Sequence, residues 1–179
     1  MFATQQAIIE YIQQAANQPE NLFLNDKGDL YLSYRNLPIK LGVICYVIWQ
    51  EKILLLLRSP QVKFGGKWGT VSGYIDNLAI LKNSQHIARA HIIQEFQEEI
   101  CWNLNEATPL QYCGTHSLIL PDSQVHLELF TLVLDREPAK ILLNLEHTNY
   151  QWMELSKIGN LQSNLIAQFL ECLEICLTY

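Results

Sequence analysis

The segment Gln94–Ile100, QEFQEEI, holds the densest set of side chains able to do chemistry. On a helix, Glu95, Glu98 and Glu99 fall at i, i+3 and i+4, so three carboxylates crowd one side while Ile93, Phe96 and Ile100 turn to the core. Like charges on adjacent turns repel, and a divalent cation relieves the repulsion. Hard oxygen donors of this kind suit Mg²⁺ or Mn²⁺. An isolated E-x-x-E-E is more often a solvated acidic face, so the elements around it decide between the two readings.

Those elements are legible from patterning. Leu41–Trp49 and Lys52–Arg58 are aliphatic and β-branched runs separated by Gln50-Glu51, a hairpin of strands apolar on both faces. A glycine-bearing loop, residues 59–67, leads to a strand near Trp68–Ile75. The polar stretch from Asp76 to Asn83 then ends at Ser84, an expected N-cap for a helix reaching Cys101, with Ala90, Ile93, Phe96 and Ile100 on its apolar face. Residues 109–119, 125–134 and 149–153 read as strands, and Ser163–Leu177 as an amphipathic helix. Upstream, residues 4–17 form a helix capped by Thr4, and residues 22–34 two short strands around an Asn-Asp-Lys-Gly turn. Residues 1–38 are too few for a core of their own and are expected as an accessory helix and hairpin on a domain spanning 39–179. Strands interleaved with two long helices give a mixed sheet with helices on its faces, an α/β class.

Composition narrows the partners. Of the 179 residues, 49% are hydrophobic and 17% charged, enough apolar material for a packed core. The net charge of −6, with no Lys/Arg run, excludes a grip on polymeric nucleic acid. Five cysteines without C-x-x-C spacing argue against a disulfide framework or structural zinc. The N-terminus MFATQQAIIEYIQQ lacks a basic region followed by an apolar one, and no run approaches a membrane span. A soluble, cytoplasmic protein with no membrane partner is expected.

The order glycine turn, then E-U-x-E-E, resembles the Nudix hydrolase box, G-x5-E-x7-R-E-U-x-E-E-x-G-U, where U is apolar. Gly73, in SGYID, matches the first Gly and the family's GG-x-U-E; Glu95, Phe96, Glu98 and Glu99 match E-U-x-E-E; Trp102 fills the last apolar position. KILLLLR and NLEHTNYQWMEL match the flanking strands, so the resemblance runs from about Leu41 to Tyr179. It implies a Nudix-type α/β/α sandwich. It also implies a Mg²⁺- or Mn²⁺-dependent pyrophosphohydrolase that cleaves a nucleoside diphosphate linked to another moiety. In that reading Glu95, Glu98 and Glu99 hold the metal with the Gly73 carbonyl. The base comes from the box helix or from a later loop or strand. Glu128 is the candidate outside the box, because in VHLELF it faces away from Leu127 and Leu129; otherwise it is an exposed strand residue. Glu146 is a second candidate. Arg58, Lys63 and Lys67 either contact substrate phosphates or are solvated charges. Tyr74 and Trp68 flank the glycine turn and could stack on a base, though Trp68 is expected in the core. His91, one turn before Glu95, could touch a ligand but is expected on the surface, and Cys101 could be redox-active but is expected as a packed thiol.

The chain departs from the box in four places. Gly73 and Glu95 stand seven residues further apart than in the family, the first box Glu has no carboxylate counterpart, Gln94 replaces the Arg, and Cys101 replaces the last Gly. Gln94 can hydrogen-bond a carboxylate but cannot fork onto it with charge, and Cys101 argues for a different helix end. These departures admit a second reading: a Nudix-fold protein that binds a nucleotide-like ligand as a sensor or partner module. Residues 1–38 either cover the site or build a homodimer interface.

Overall fold

The computed structural model describes residues 4–25, 28–138 and 140–178. The chain runs α1 (Gln5–Ala15), β1 (Leu22–Leu24), β2 (Leu30–Leu32), β3 (Ile39–Trp49), β4 (Lys52–Arg58), β5 (Trp68–Gly69), β6 (Val71–Tyr74), α2 (Leu78–Asn83) and α3 (Ile87–Ile100). It continues through β7 (Leu110–Ile119), β8 (Gln124–Leu134), β9 (His147–Glu154), a 3₁₀ segment (Leu155–Asn164) and α4 (Phe169–Leu177). The two residues expected at the tip of the first hairpin, Asp26 and Lys27, lie outside the described residues.

β3 is the spine of the sheet. It pairs in parallel with β8 along its whole length, antiparallel with β6 at Gly42–Cys45, and antiparallel with β4 through the hairpin at Trp49. β4 in turn pairs with β5 and β9, and β8 with β7. The result is a mixed sheet with helices on both faces, as patterning implied. Side chains alternate along β3: Leu41, Val43, Cys45 and Val47 join α1, α2 and α3 in one core, and Ile44 and Tyr46 join α4 in another. Tyr46 meets Phe169 edge-on, with ring centroids 5.1 Å apart, and donates its hydroxyl to the Phe169 carbonyl at 2.8 Å. The first core also takes in Ile8, Ile12, Leu32 and Tyr34 of the N-terminal segment. Among the described residues no helix is long and apolar enough to cross a membrane.

Several local expectations are corrected. The stretch after Asp76 is not a polar loop but contains α2: the Asn77 side chain accepts from the Ala79 and Ile80 amides, and Leu78 and Leu81 are buried. Two apolar positions one turn apart and a good N-cap suffice for a helix too short for a periodicity window. Ser84 therefore ends α2 and does not start α3, whose N-cap is His86, with no side-chain cap bond. The buried face of α3 is Ile87, His91, Ile92, Phe96, Glu99 and Ile100; Ala90 and Ile93 are only half-buried. The strand expected over Trp68–Ile75 is two strands, and Thr70 between them donates its hydroxyl to the Cys45 carbonyl at 2.7 Å. Trp68 is half-buried and packs against the second core. The last helix starts six residues later than Ser163, because Gln168 adopts a left-handed conformation (φ 58°) immediately before it.

The helix end at Cys101 is also corrected. Despite the missing glycine, α3 closes as a glycine would close it: Cys101 is left-handed at φ 58°, ψ 33°, and the Trp102 amide donates back to the Phe96 carbonyl at 3.0 Å. Trp102, 6% exposed and stacked 6.1 Å from Phe96, holds the turn in place. Cys101 itself is exposed rather than packed, while the other four thiols are buried. A β-carbon in the left-handed region costs energy that glycine does not. Cys101→Gly is therefore expected to raise stability by about 0.5–1 kcal/mol, read as an increase in Tm with an unchanged far-ultraviolet circular dichroism spectrum.

Candidate functional site

The site lies where the second half of α3 crosses β6. Glu99, 2% exposed, accepts from the Ser72 amide at 3.0 Å. One turn earlier, Glu95 lays its carboxylate over Gly73; a β-carbon there would overlap that carboxylate. Gly73 is thus required by close approach, not by its backbone angles. The two best-matched elements of the sequence motif, the glycine turn and the first glutamate of E-U-x-E-E, touch.

Each glutamate of α3 has its own environment. His91, buried one turn before Glu95, places Nε2 2.9 Å from the Glu95 carboxylate. Glu98 is exposed and accepts from the Gln94 amide at 2.5 Å. Gln94 also donates to the Tyr31 hydroxyl at 3.2 Å and accepts from the Asn77 side chain at 3.1 Å. His147 Nε2 lies 3.8 Å from Glu99, too far for a hydrogen bond. Burial, with Arg58 nearby, pushes the His147 ring down to about 4, so it is neutral at physiological pH. Burial raises the Glu95 carboxyl, partly offset by His91 and reinforced by Glu98. Burial raises Glu99 further, and the Glu95 charge adds to it. These are carboxylates pressed together in a low-dielectric cleft, the environment that disfavours their charged form.

Two groups near the cleft are not obvious from the E-x-x-E-E spacing. Asp76, at the acidic position of SGYID, is raised to about 7 by burial and by the charges of Glu95 and Glu98, with His91 opposing. His91, expected on the surface, is 1% exposed. Its i, i+4 spacing to Glu95 was legible in the sequence; its burial was not.

The remaining expected residues divide. Glu146 is close enough for its charge to raise both Glu95 and Glu99, and Arg58 pairs with it at 3.6 Å. Arg58 Nε also donates to the Lys63 carbonyl at 2.8 Å, which fixes it at the cleft rim. Lys67 instead donates to the Ser163 carbonyl, tying the loop to the C-terminal segment. Tyr74 is half-buried against Tyr34, with ring centroids 5.3 Å apart and the Lys40 ammonium 5.9 Å from its ring centre. Glu128 is not brought to the α3 glutamates: it is buried on β8, where it accepts from Gln5 and Tyr112.

No family profile and no curated protein matches the chain. Solved structures do match. The MutT protein of Methanosarcina mazei Go1 aligns at 23% identity and a TM-score of 0.61, over 76% of this chain and 91% of its own. The Nudix domain of Shewanella oneidensis NrtR, solved with ADP ribose, aligns at 18% identity and a TM-score of 0.58, over 76% and 84%. A bifunctional NMN adenylyltransferase/ADP ribose pyrophosphatase of Francisella tularensis, complexed with AMP and a manganese ion, aligns at 21% identity and a TM-score of 0.59. That match covers 98% of this chain but 47% of the other. The mixed sheet between helices is therefore an α/β/α sandwich of a known kind: the chain has the Nudix fold.

Two substitutions test the cleft. Gly73→Ala should displace the Glu95 carboxylate and cost about 1–3 kcal/mol of stability, measured by urea unfolding. Asp76→Asn tests the buried charge. The aspartate carboxyl is raised in the fold, so its stabilising contribution is complete below its ordinary value and is lost as pH rises through about 7. In metal-free buffer the asparagine variant should therefore have the higher Tm at pH 8, with the difference closing by about pH 4.

Proposed function

We propose that the protein is a divalent-metal-dependent hydrolase of the pyrophosphate bond in a nucleoside diphosphate linked to a second moiety. The observation that carries this reading is the nesting of the Glu95 carboxylate on Gly73, with Glu98 and Glu99 on the same helix of a Nudix fold. The donor set fits Mg²⁺ or Mn²⁺, being hard oxygens, and burial together with neighbouring carboxylate charge raises Glu95 and Glu99. Glu95, Glu98 and Glu99 would hold the ion with the Gly73 carbonyl. When bound, it would neutralise the diphosphate and acidify the attacking water. Gln94 orients Glu98 and His91 orients Glu95, each through the contact described above. Of the two acids considered outside the box, Glu146 is the one within electrostatic reach of the cleft, so the base is assigned to Glu146 rather than Glu128. Arg58 at the rim is free to trade its 3.6 Å contact with Glu146 for a substrate phosphate. The ADP ribose and AMP in the names of two structural neighbours support a substrate of nucleotide type.

One observation favours the second reading, binding without turnover. Among the described residues no three His, Cys, Asp or Glu side chains are arranged to close around a metal ion. Each α3 glutamate instead has a protein partner: His91, Gln94 or the Ser72 amide. Metal binding would have to draw Glu95 and Glu98 off those partners.

Calorimetric titration with Mg²⁺ and Mn²⁺, followed by assay on ADP ribose and other nucleoside diphosphate derivatives, separates the readings. Wild-type protein is expected to bind metal and hydrolyse. Glu98→Gln, at an exposed position, should keep its Tm and lose roughly a hundredfold or more in rate. Full metal-dependent activity in that variant would sink the mechanism, and absence of metal binding at millimolar concentration would sink the first reading and favour the second.

A further inference from the structure

The reaction proposed above leaves one buried carboxylate without a task. Glu128 stands on the face of β8 that looks toward α1 and α3, and it is 2% exposed. It lines an open cavity of about 440 Å³ between α1, the turn into α3, and the sheet. That volume is in the range of small-molecule sites. The walls are apolar at Ile9, Leu41, Ile75 and Phe130 and polar at Gln6, Gln13, Gln85 and His86.

The carboxylate is held by neutral donors. The Gln5 amide nitrogen sits 2.7 Å from each of its oxygens, and the Tyr112 hydroxyl donates at 2.9 Å. Arg89 also lines the cavity, but its guanidinium is committed elsewhere. It donates to the carbonyls of Glu106, Thr108 and Leu110 and pairs with the Glu106 carboxylate at 3.4 Å. Among the described residues no uncommitted cation faces this carboxylate, so its burial carries a desolvation cost; burial raises its pKa, and the bonds from Tyr112 and Gln5 oppose that rise. The single amide nitrogen poised between both oxygens marks where a forked donor would sit. A planar cation with two N–H groups would make both bonds at once and bring the missing charge.

We propose that this cavity is a ligand site, separate from the α3 glutamates, for a small organic cation of amidinium or guanidinium type carried on an apolar body. The carboxylate takes the paired N–H edge in place of Gln5, and the aliphatic and Phe130 walls take the body. The first turn of α3 lines the same cavity at Ile87, Ala88 and Arg89, so an occupant rests on the helix that carries the glutamates.

Benzamidine, titrated calorimetrically into the full chain, is the probe. Saturable binding is expected in wild type, weakened at least about tenfold in Glu128→Gln and unchanged in Glu98→Gln. Gln6→Trp, at an exposed residue on the cavity wall, should block binding without disturbing the core, which keeps the test valid if Glu128→Gln misfolds. No saturable binding to wild type, equal affinity in Glu128→Gln and Gln6→Trp, or loss of binding in Glu98→Gln would each overturn the proposal. Failure of the hydrolysis assay would not, since binding is read without metal or nucleotide.

Discussion

The contact on which the molecule turns is the absence of a side chain at Gly73. α3 can lie on β6 closely enough to bury Glu95 and Glu99 only because the sheet there presents bare backbone, an amide at Ser72 and no β-carbon at Gly73. The approach forces two carboxylates into a cleft whose dielectric penalises both. Much of the surrounding detail answers that penalty. His91 sits against Glu95, the Ser72 amide against Glu99, and Arg58 stands behind Glu146. Without a ligand the arrangement works against stability, and such a conflict between local chemistry and fold energy is what functional sites retain.

Gln94, which stands where the resembling motif has an arginine, is best understood in the same terms. A charged fork would pin its carboxylate from one residue. The amide cannot, and its neighbours supply what it lacks. Asn77 fixes the Gln94 oxygen, which leaves the nitrogen pointing at Glu98 and at Tyr31. Asn77 is also the N-cap of α2, and α2 is built within the lengthened stretch between the glycine turn and α3. Asn77 and Gln94 are thus parts of one arrangement: the residue that caps α2 also orients the amide that faces Glu98. The cost is charge, since nothing in this network neutralises Glu98.

The sequence made visible what depends on period and composition. The paired apolar runs of β3 and β4, the alternation that turns Glu128 away from Leu127 and Leu129, and the i, i+3, i+4 glutamates all survive in the structure, because periodicity is a property of the backbone itself. What it hid depends on contacts between distant segments. His91 is polar by type but is buried beneath Glu95. Asp76 is an ordinary acid until α3 covers it. α2 is too short to announce itself by period. Cys101 is the instructive failure: reading a non-glycine as a different helix end gives weight to local preference, whereas Trp102, buried against Phe96, imposes the left-handed turn regardless. Tertiary packing worth several kcal/mol outweighs a local penalty of about 1 kcal/mol.

The same weighing bears on the N-terminal segment. Read alone it is an accessory piece without a core. In the fold it reaches three places around α3. Gln5 caps Glu128 at the cavity beside the start of the helix. Tyr31 meets Gln94 in its second half, and the Tyr34 hydroxyl donates to the Ile75 carbonyl at 2.7 Å, just before Asp76. Each of these bonds joins a neutral donor or acceptor of the segment to the neighbourhood of a carboxylate, and none supplies a cation. A segment that only covered apolar surface would not need polar side chains aimed at those positions. Ile8, Ile12 and Leu32 do the covering, and Gln5 and Tyr31 carry the segment's contact to the two acidic regions of the fold. Substitutions at Gln5 and Tyr31 would therefore act on Glu128 and Gln94 through distinct bonds, so the N-terminal segment is tied to both acidic regions by polar contacts as well as by apolar packing.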